Sequence, residues 1–344
     1  MKLNRGEWAE LYAKTTLTLS GWLSELDQNL EQVLGKSHRI VSVHPDPSHY
    51  EIAIGSFSSA DDSDPTRIGS ELERLNQKFF EEIKHGKGRS FASETGIQLA
   101  KKLGIASFKS GSTKKADVGL KLRSQSFSEG EVLGFSIKSH ISSPPTLLNA
   151  SRLNTNFQFE ISGELIDWSL FNSKEKTLRQ LLQDIVDAGG SFSFTRLRAG
   201  KLQSSMDIFS ASFVQEVASY LLFYYLGRGS NLRQILTTTA ASKESNWLIG
   251  AQYRLGKFLE AIALGLTPTN LWNPDHAEWG GYIIVKQDGS VGGLRAFNSS
   301  ALTNYLLSNT KFDTPSRERH GYGFVYEIDG RFYIDLAIQL RGSL

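Results

Sequence analysis

The chain has no cysteine. Disulfide frameworks and thiolate metal centres are therefore excluded. It has no apolar run near the roughly 18 residues that cross a bilayer. Its opening, MKLNRGEWAEL, lacks the apolar core of a signal peptide. A soluble cytoplasmic protein is the expectation. Net charge is also scarce: 38 Lys and Arg against 36 Asp and Glu leave a formal +2. Bulk charge thus does not announce a nucleic-acid partner, and a DNA-binding reading needs Lys and Arg gathered on one face. What is present is ordinary. With 40% apolar and 22% charged residues over 344 positions, the chain can bury a sizeable core in one large domain or two closely packed ones.

The most informative stretch runs from Ala116 to Ser139, ADVGLKLRSQSFSEGEVLGFSIKS. Two alternating runs, Ala116–Arg123 and Val132–Ser139, flank a polar turn at Ser128-Glu129-Gly130, which is a hairpin signature. Alternation puts Val118, Leu120 and Leu122 on one side of the first strand and Asp117, Gly119 and Lys121 on the other. On the second strand Leu133, Phe135 and Ile137 separate from Ser136 and Lys138. An acid and an ammonium can therefore meet across the pair. That pairing suits metal-dependent phosphodiester hydrolysis, because Mg²⁺ takes one or two carboxylates plus water, and a nearby ammonium can orient the attacking water or offset phosphorane charge. It equally suits a surface hairpin with an unremarkable Asp and Lys. The pattern resembles the nuclease core PD-(D/E)xK, with Asp117 and Lys138 as its Asp and Lys. Ala116 stands where Pro is usual, and Ser136 occupies the acidic position. Serine cannot replace a carboxylate on Mg²⁺, so a second acid must come from elsewhere.

The continuation, LGFSIKSHISSPPTLLNASRLNTNFQFEI (133–161), resembles the HpaII family of type II restriction endonucleases in its SIKS strand, its PTLLNAS loop and its TNF segment ending in Glu160. The resemblance recurs at Asn4–Tyr12, at Asn309–Ser316 with Arg319-His320, and at Tyr333 through Arg341. It implies an α/β protein with a restriction-endonuclease-like mixed sheet flanked by helices, extended by a C-terminal helical and β-hairpin region. A nuclease core over residues 1–170, with the N-terminal helices, and a recognition region over residues 171–344 is one division of it. The resemblance also implies Mg²⁺-dependent cleavage of double-stranded DNA at CCGG, a palindrome that suits a homodimer or a monomer nicking each strand in turn, with a cognate DNA methyltransferase as genetic partner.

Residues 5–34 read as one or two amphipathic helices, with Trp8, Leu11, Tyr12, Leu17, Leu19, Trp22, Leu23, Leu26 and Leu30 at near-helical spacing and a structural role. Strands are expected at Arg39–Val43, Tyr50–Ile54 and Ile105–Ser110, and helices at Thr66–Lys84 and Ser93–Leu103. Glu94 opens the latter helix, where it either complements the dipole or supplies an accessory acid. Lys114 and Lys115 precede Asp117 and would meet the DNA backbone, or else form a solvated turn. Past Lys138 come Ser139, His140, Asn149, Ser151, Asn154, Thr155 and Asn156, a density of short hydrogen-bonders that fits DNA contact or a capped connector. Asn156–Ile161 alternates as a strand; paired beside Lys138 it would bring Glu160 to Asp117, which makes Glu160 the leading candidate for the second metal acid.

Helices are expected at Lys174–Ala188, Ser210–Leu226, Asn231–Ile235 and Tyr253–Leu264, with a small basic cluster, Thr195–Arg198, between the first two. Two Asp-Gly turns, Asp288-Gly289 and Asp329-Gly330, announce C-terminal hairpins. Between them a loop carries Arg317, Arg319 and His320, candidate readers of guanine edges. Two rivals stand beside the nuclease: a metal-independent hydrolase or transferase using His140 or His320 with a serine, and a DNA-binding protein on an inactive nuclease fold.

Overall fold

Asn4 starts the first element. Its side-chain oxygen accepts the Glu7 amide at 3.0 Å and the Glu7 carboxylate accepts the Asn4 amide at 2.8 Å, a reciprocal cap on α1 (Arg5–Ser20). The helix ends where Gly21 turns left-handed at φ 64° and returns its N–H to the Leu17 carbonyl. The apolar spacing beyond it, expected as more helix, is instead β1 (Trp22–Leu26) and the start of β2 (Gln32–Asp46). Asp27 makes the turn between them, its carboxylate accepting the amides of Asn29 and Glu31. In α1 Trp8, Ala9, Leu11, Tyr12, Ala13, Lys14, Thr15, Leu17 and Thr18 are all buried, so the helix is enclosed on most sides rather than amphipathic.

This computed structural model describes residues 1–46, 50–53, 65–106, 116–123, 131–141, 146–163, 167–173, 175–241, 243, 246–273, 280–295 and 299–342. After β2 come β3 (Tyr50–Ala53), α2 (Pro65–His85) and α3 (Glu94–Lys102). The expected hairpin follows as β4 (Val118–Arg123) and β5 (Val132–Ser139), then β6 (Thr146–Leu148) and β7 (Asn156–Ser162). Its turn, and most of the strand expected at Ile105–Ser110, lie outside the described residues. Next are α4 (Leu178–Asp187), β8 (Ser191–Leu197), α5 (Gly200–Asp207), α6 (Phe213–Tyr225), α7 (Leu232–Ala240) and α8 (Trp247–Ala263). The chain closes with β9 (Gly281–Val285), β10 (Val291–Arg295), α9 (Ser299–Ser308), β11 (Thr310–Phe312), α10 (Arg317–His320), β12 (Val325–Ile328), β13 (Arg331–Ala337) and β14 (Leu340–Gly342). Both Asp-Gly hairpins form, β9/β10 and β12/β13. The basic segment Thr195–Arg198 lies between α4 and α5 as expected, and its first three residues end β8.

Seven strands make a mixed sheet in the order β1-β10-β9-β5-β4-β2-β3. Long β2 pairs with β1 through its first half and with β4 and β3 through its second. A four-stranded sheet, β12-β13-β7-β8, and a three-stranded one, β11-β14-β6, complete the β structure. Strand β9 shows how the large sheet is covered on both faces. Ile283 and Val285 pack into a core with α1, α2 and α3, while Tyr282 and Ile284 pack into a second core with α8 and α9. Val118, Leu120, Leu122, Leu133, Phe135 and Ile137 join the first of these cores, the face that alternation assigns to them. The result is a mixed α/β fold, a twisted sheet between helical layers. Residues 281–295, from the second half of the chain, stand between β1 and β5, so both halves build this sheet. Among the described residues no helix is long and apolar enough to cross a membrane.

Candidate active site

Asp117 lies at the bend that leads into β4, where its own N–H donates to the Phe135 carbonyl at 2.8 Å. This places its carboxylate against the neighbouring strand. Oδ2 accepts the Ile137 amide at 2.7 Å and the Ser136 hydroxyl at 3.1 Å. The Lys138 ammonium donates to the same Ser136 hydroxyl at 2.9 Å and stands 5.3 Å from the centre of the Tyr282 ring. Ser136 thus receives a proton from one charged group and offers its own to the other. The position where an acid is usual holds a neutral bridge that fixes the spacing of acid and lysine. Lys138 and Asp117 are both half-buried, so solvent screens their interaction less than at an open surface.

The charges of this pair also act on a second carboxylate, carried by α1, which packs against β5. Glu10 is half-buried, and burial first, then the charge of Asp117, lifts its pKa to about 7; Lys14 and Lys138 pull the other way. Lys14 sits one helical turn on and is fully buried. Glu10, Asp117 and Lys138 therefore share one electrostatic neighbourhood. Glu10 lies in a helix whose apolar spacing marks it as structural, and no motif singles it out. Its signal is a Glu and a Lys four residues apart inside a helix otherwise closed by apolar side chains, where such groups are rare unless paired.

The strand carrying Glu160 is not beside Lys138. The strand paired there is β9, with Lys138 opposite Ile284, whereas β7 belongs to the four-stranded sheet with Glu160 opposite Tyr333 and Ser193. Glu160 lies 3.7 Å from Arg331 in an exposed ion pair. Glu94 is exposed in the first turn of α3, where Ser93 caps the helix by accepting the Gly96 amide. The charges acting on Glu10 come from Asp117, Lys14, Lys138 and Glu7, with neither Glu94 nor Glu160 among them.

The residues singled out for DNA contact scatter. Lys114 and Lys115 lie outside the described residues. Ser139 is half-buried and its hydroxyl accepts the Ile141 amide at 3.2 Å. His140 is buried, within 2.9 Å of the Tyr305 hydroxyl, and desolvation lowers its pKa. That burial removes it from a DNA surface, and it leaves the metal-independent rival without that histidine. Asn156 is fully buried, its amide donating to the carbonyls of His320 and Gly321, so it ties β7 to α10. Asn149 is exposed, while Ser151 and Asn154 bond to each other at 2.9 Å. Arg317 spends its guanidinium on the carbonyls of Lys176 and Gly323 and on the Phe324 ring, 4.5 Å away; it is structural. Arg319 is exposed on α10 and His320 half-exposed beside it, its pKa lowered by desolvation and by Arg319.

No solved structure matches this chain. A curated relative, the type II restriction enzyme HpaII of Haemophilus parainfluenzae, is 29% identical over 356 residues, an alignment that covers 98% of each chain. The family described as HpaII restriction endonuclease matches residues 4–341. Almost all of the fold lies inside that match, the three sheets up to residue 341 and the Glu10, Asp117 and Lys138 neighbourhood included, and the chain belongs to the HpaII restriction endonuclease family.

Proposed function

We propose that this chain hydrolyses both strands of duplex DNA at a specific site in a Mg²⁺-dependent reaction, with Asp117, Glu10 and Lys138 as its centre. Membership of the family makes it a type II site-specific deoxyribonuclease. The observation that carries the mechanism is the acid and the ammonium bridged by Ser136, with a second carboxylate on α1 close enough for both charges to act on it. Among the described residues no group of three His, Asp or Glu side chains gathers. Mg²⁺ does not need one: it commonly takes one or two protein carboxylates and completes its shell with water and substrate phosphate. Two half-buried carboxylates therefore fit it, and Asp117 and Glu10 would hold it.

Bound there, Mg²⁺ supplies neutralising charge for the phosphate oxygens. Lys138 orients the attacking water or offsets charge on the phosphorane, its ammonium fixed by Ser136 Oγ and the Tyr282 ring. Ser136 and the Ile137 amide keep Asp117 in one rotamer. The expected site is CCGG, which the family resemblance implies. A palindrome calls for a two-fold dimer, and a methyltransferase of the same specificity would protect the host's own sites.

Plasmid digestion tests this directly. Discrete fragments with Mg²⁺ and none with EDTA are expected, and Lys138→Ala should lower the rate by about a hundredfold or more while DNA binding persists. Full activity in that variant would refute the mechanism. Binding without fragments in the wild type would favour an inactive nuclease fold.

A further inference from the structure

The four-stranded sheet turns Phe157, Phe159, Ile161, Ile334 and Leu336 into the core. Its opposite face ought to be wet, yet Gln158 and Asp335 on that face are only 3% and 5% exposed. They are covered by a lattice from the flanking strands. Arg196 Nε donates to Gln158 Oε1 at 2.9 Å, and Gln158 Nε2 donates to the Tyr326 hydroxyl at 2.8 Å. That hydroxyl donates to Asp335 Oδ1 at 2.8 Å, and Arg198 reaches both, at 3.2 Å to the hydroxyl and 3.7 Å to Asp335 Oδ2. Burying an amide and a carboxylate is costly unless both are bonded; burial raises the pKa of Asp335. The lattice meets that cost, and in doing so it fixes two guanidiniums. Arg196 stays exposed, and among the described residues its hydrogen bonds use Nε alone.

The lattice also has a direction. It occupies the end of the sheet where β7 begins and β13 finishes, Asn156 opposite Ala337. From that end β13 runs through residues 338–339 into β14, and β6 lies just upstream of β7. Thr146 and Leu147 of β6 and Gly342 of β14 line a small cavity, about 20 Å³, with Lys138. The arginines stand at the end of β8, against the ends of β7 and β13 that lead towards the Lys138 cavity. The outward charge there is two guanidiniums over one covered carboxylate, which suits a polyanion.

We propose that Arg196, with Arg198 behind it in the lattice of Gln158, Tyr326 and Asp335, forms a DNA-reading row in which Arg196 presents a fixed guanidinium fork to a guanine edge of the cleaved duplex. The inference rests on the nuclease reading above. A guanidinium held by its Nε keeps its two terminal nitrogens in the plane that matches guanine O6 and N7, a fork that lysine cannot reproduce. Strands in a groove are an established way to read DNA.

The test uses full-length protein and two labelled duplexes, one bearing the site at which the wild type cuts plasmid and one with that site scrambled. Anisotropy is measured in EDTA at several salt concentrations. Arg196→Ala, with unchanged circular dichroism and melting, should weaken binding to the cut site by about 10- to 100-fold and bring it near the scrambled duplex. Arg196→Lys should not restore it, and Tyr326→Phe should give a smaller loss in the same direction. Arg331→Ala, at the far end of this sheet, should bind as wild type. Wild-type discrimination in Arg196→Ala and in Arg198→Ala would overturn the reading row and leave the nuclease standing. Rescue by Arg196→Lys, with equal losses on both duplexes and a shallower salt dependence, would overturn it in favour of a phosphate contact. A wild type that neither cuts nor binds would remove the nuclease reading itself.

Discussion

Strands β5 and β7 look alike as sequences: each alternates, with three apolar side chains facing one way and a polar row carrying a chargeable residue facing the other. Their surroundings differ. Strand β5 lies inside a sheet covered on both faces, so its residues have packed helices and neighbouring strands on either side, and Glu10 on α1 feels the charges of Asp117 and Lys138. Strand β7 lies in a sheet with one face in the core and one turned outward, and its polar row is closed by side chains of its own sheet. Alternation states which residues share a face. It does not state what covers that face, and the cover decides which acid reaches Asp117.

The strongest way to sharpen the contrast is Glu10→Gln, which keeps the shape of the side chain and removes its charge. Cleavage should fall by about a thousandfold with the circular dichroism spectrum unchanged; a wild-type rate would return the second acid to open question. A smaller effect comes from protons. A carboxyl whose native pKa is lifted to about 7 holds its proton more tightly folded than unfolded. Its stabilising share is complete below the unfolded value, near 4.3, and is lost as pH rises through about 7. Magnesium acts oppositely, because it needs the carboxylate. The Mg²⁺ concentration for half-maximal cleavage should therefore drop as pH rises from about 6 to 8, by up to about tenfold per unit, and added Mg²⁺ should raise Tm more at the higher pH. A requirement independent of pH would separate Glu10 from the metal. Ser136→Ala comes next, at about 10- to 100-fold in rate, since it removes the bridge and leaves both charged partners.

Much of this arrangement is legible in the residues. The β4/β5 pair and the faces of its side chains follow from alternation, and both Asp-Gly hairpins follow from turn chemistry, which are local. The helices α2 and α3 follow from periodicity and from the Ser93 cap. The end of α1 was not legible, because Trp22, Leu23, Leu26 and Leu30 keep a spacing that suits either structure, and the left-handed Gly21 decides between them. Glu10 was hidden for a related reason. A helix enclosed on most sides shows no polar stripe, so its one acid beside the site looks like any surface Glu. The order of strands is non-local too: β9 is inserted next to β5 from far along the chain, and the hydrogen-bonding edge that β7 might have taken is filled.

The smallest predicted effect is the most discriminating for the comparison of the two sheets. Glu160 and Arg331 approach to 3.7 Å with 27% and 68% of their side chains exposed. An ion pair this open gains little over hydration and is screened by salt, so its share of stability is roughly 0–1 kcal/mol. Glu160→Gln should accordingly shift the unfolding free energy by less than about 1 kcal/mol. It should also leave the cleavage rate and the Mg²⁺ requirement of the wild type intact, because the strand beside Lys138 is β9. Loss of cleavage in Glu160→Gln, with Glu10→Gln active, would mean that β7 swings to the catalytic strand when DNA binds. The polar face of the four-stranded sheet would then belong to the chemistry rather than to recognition.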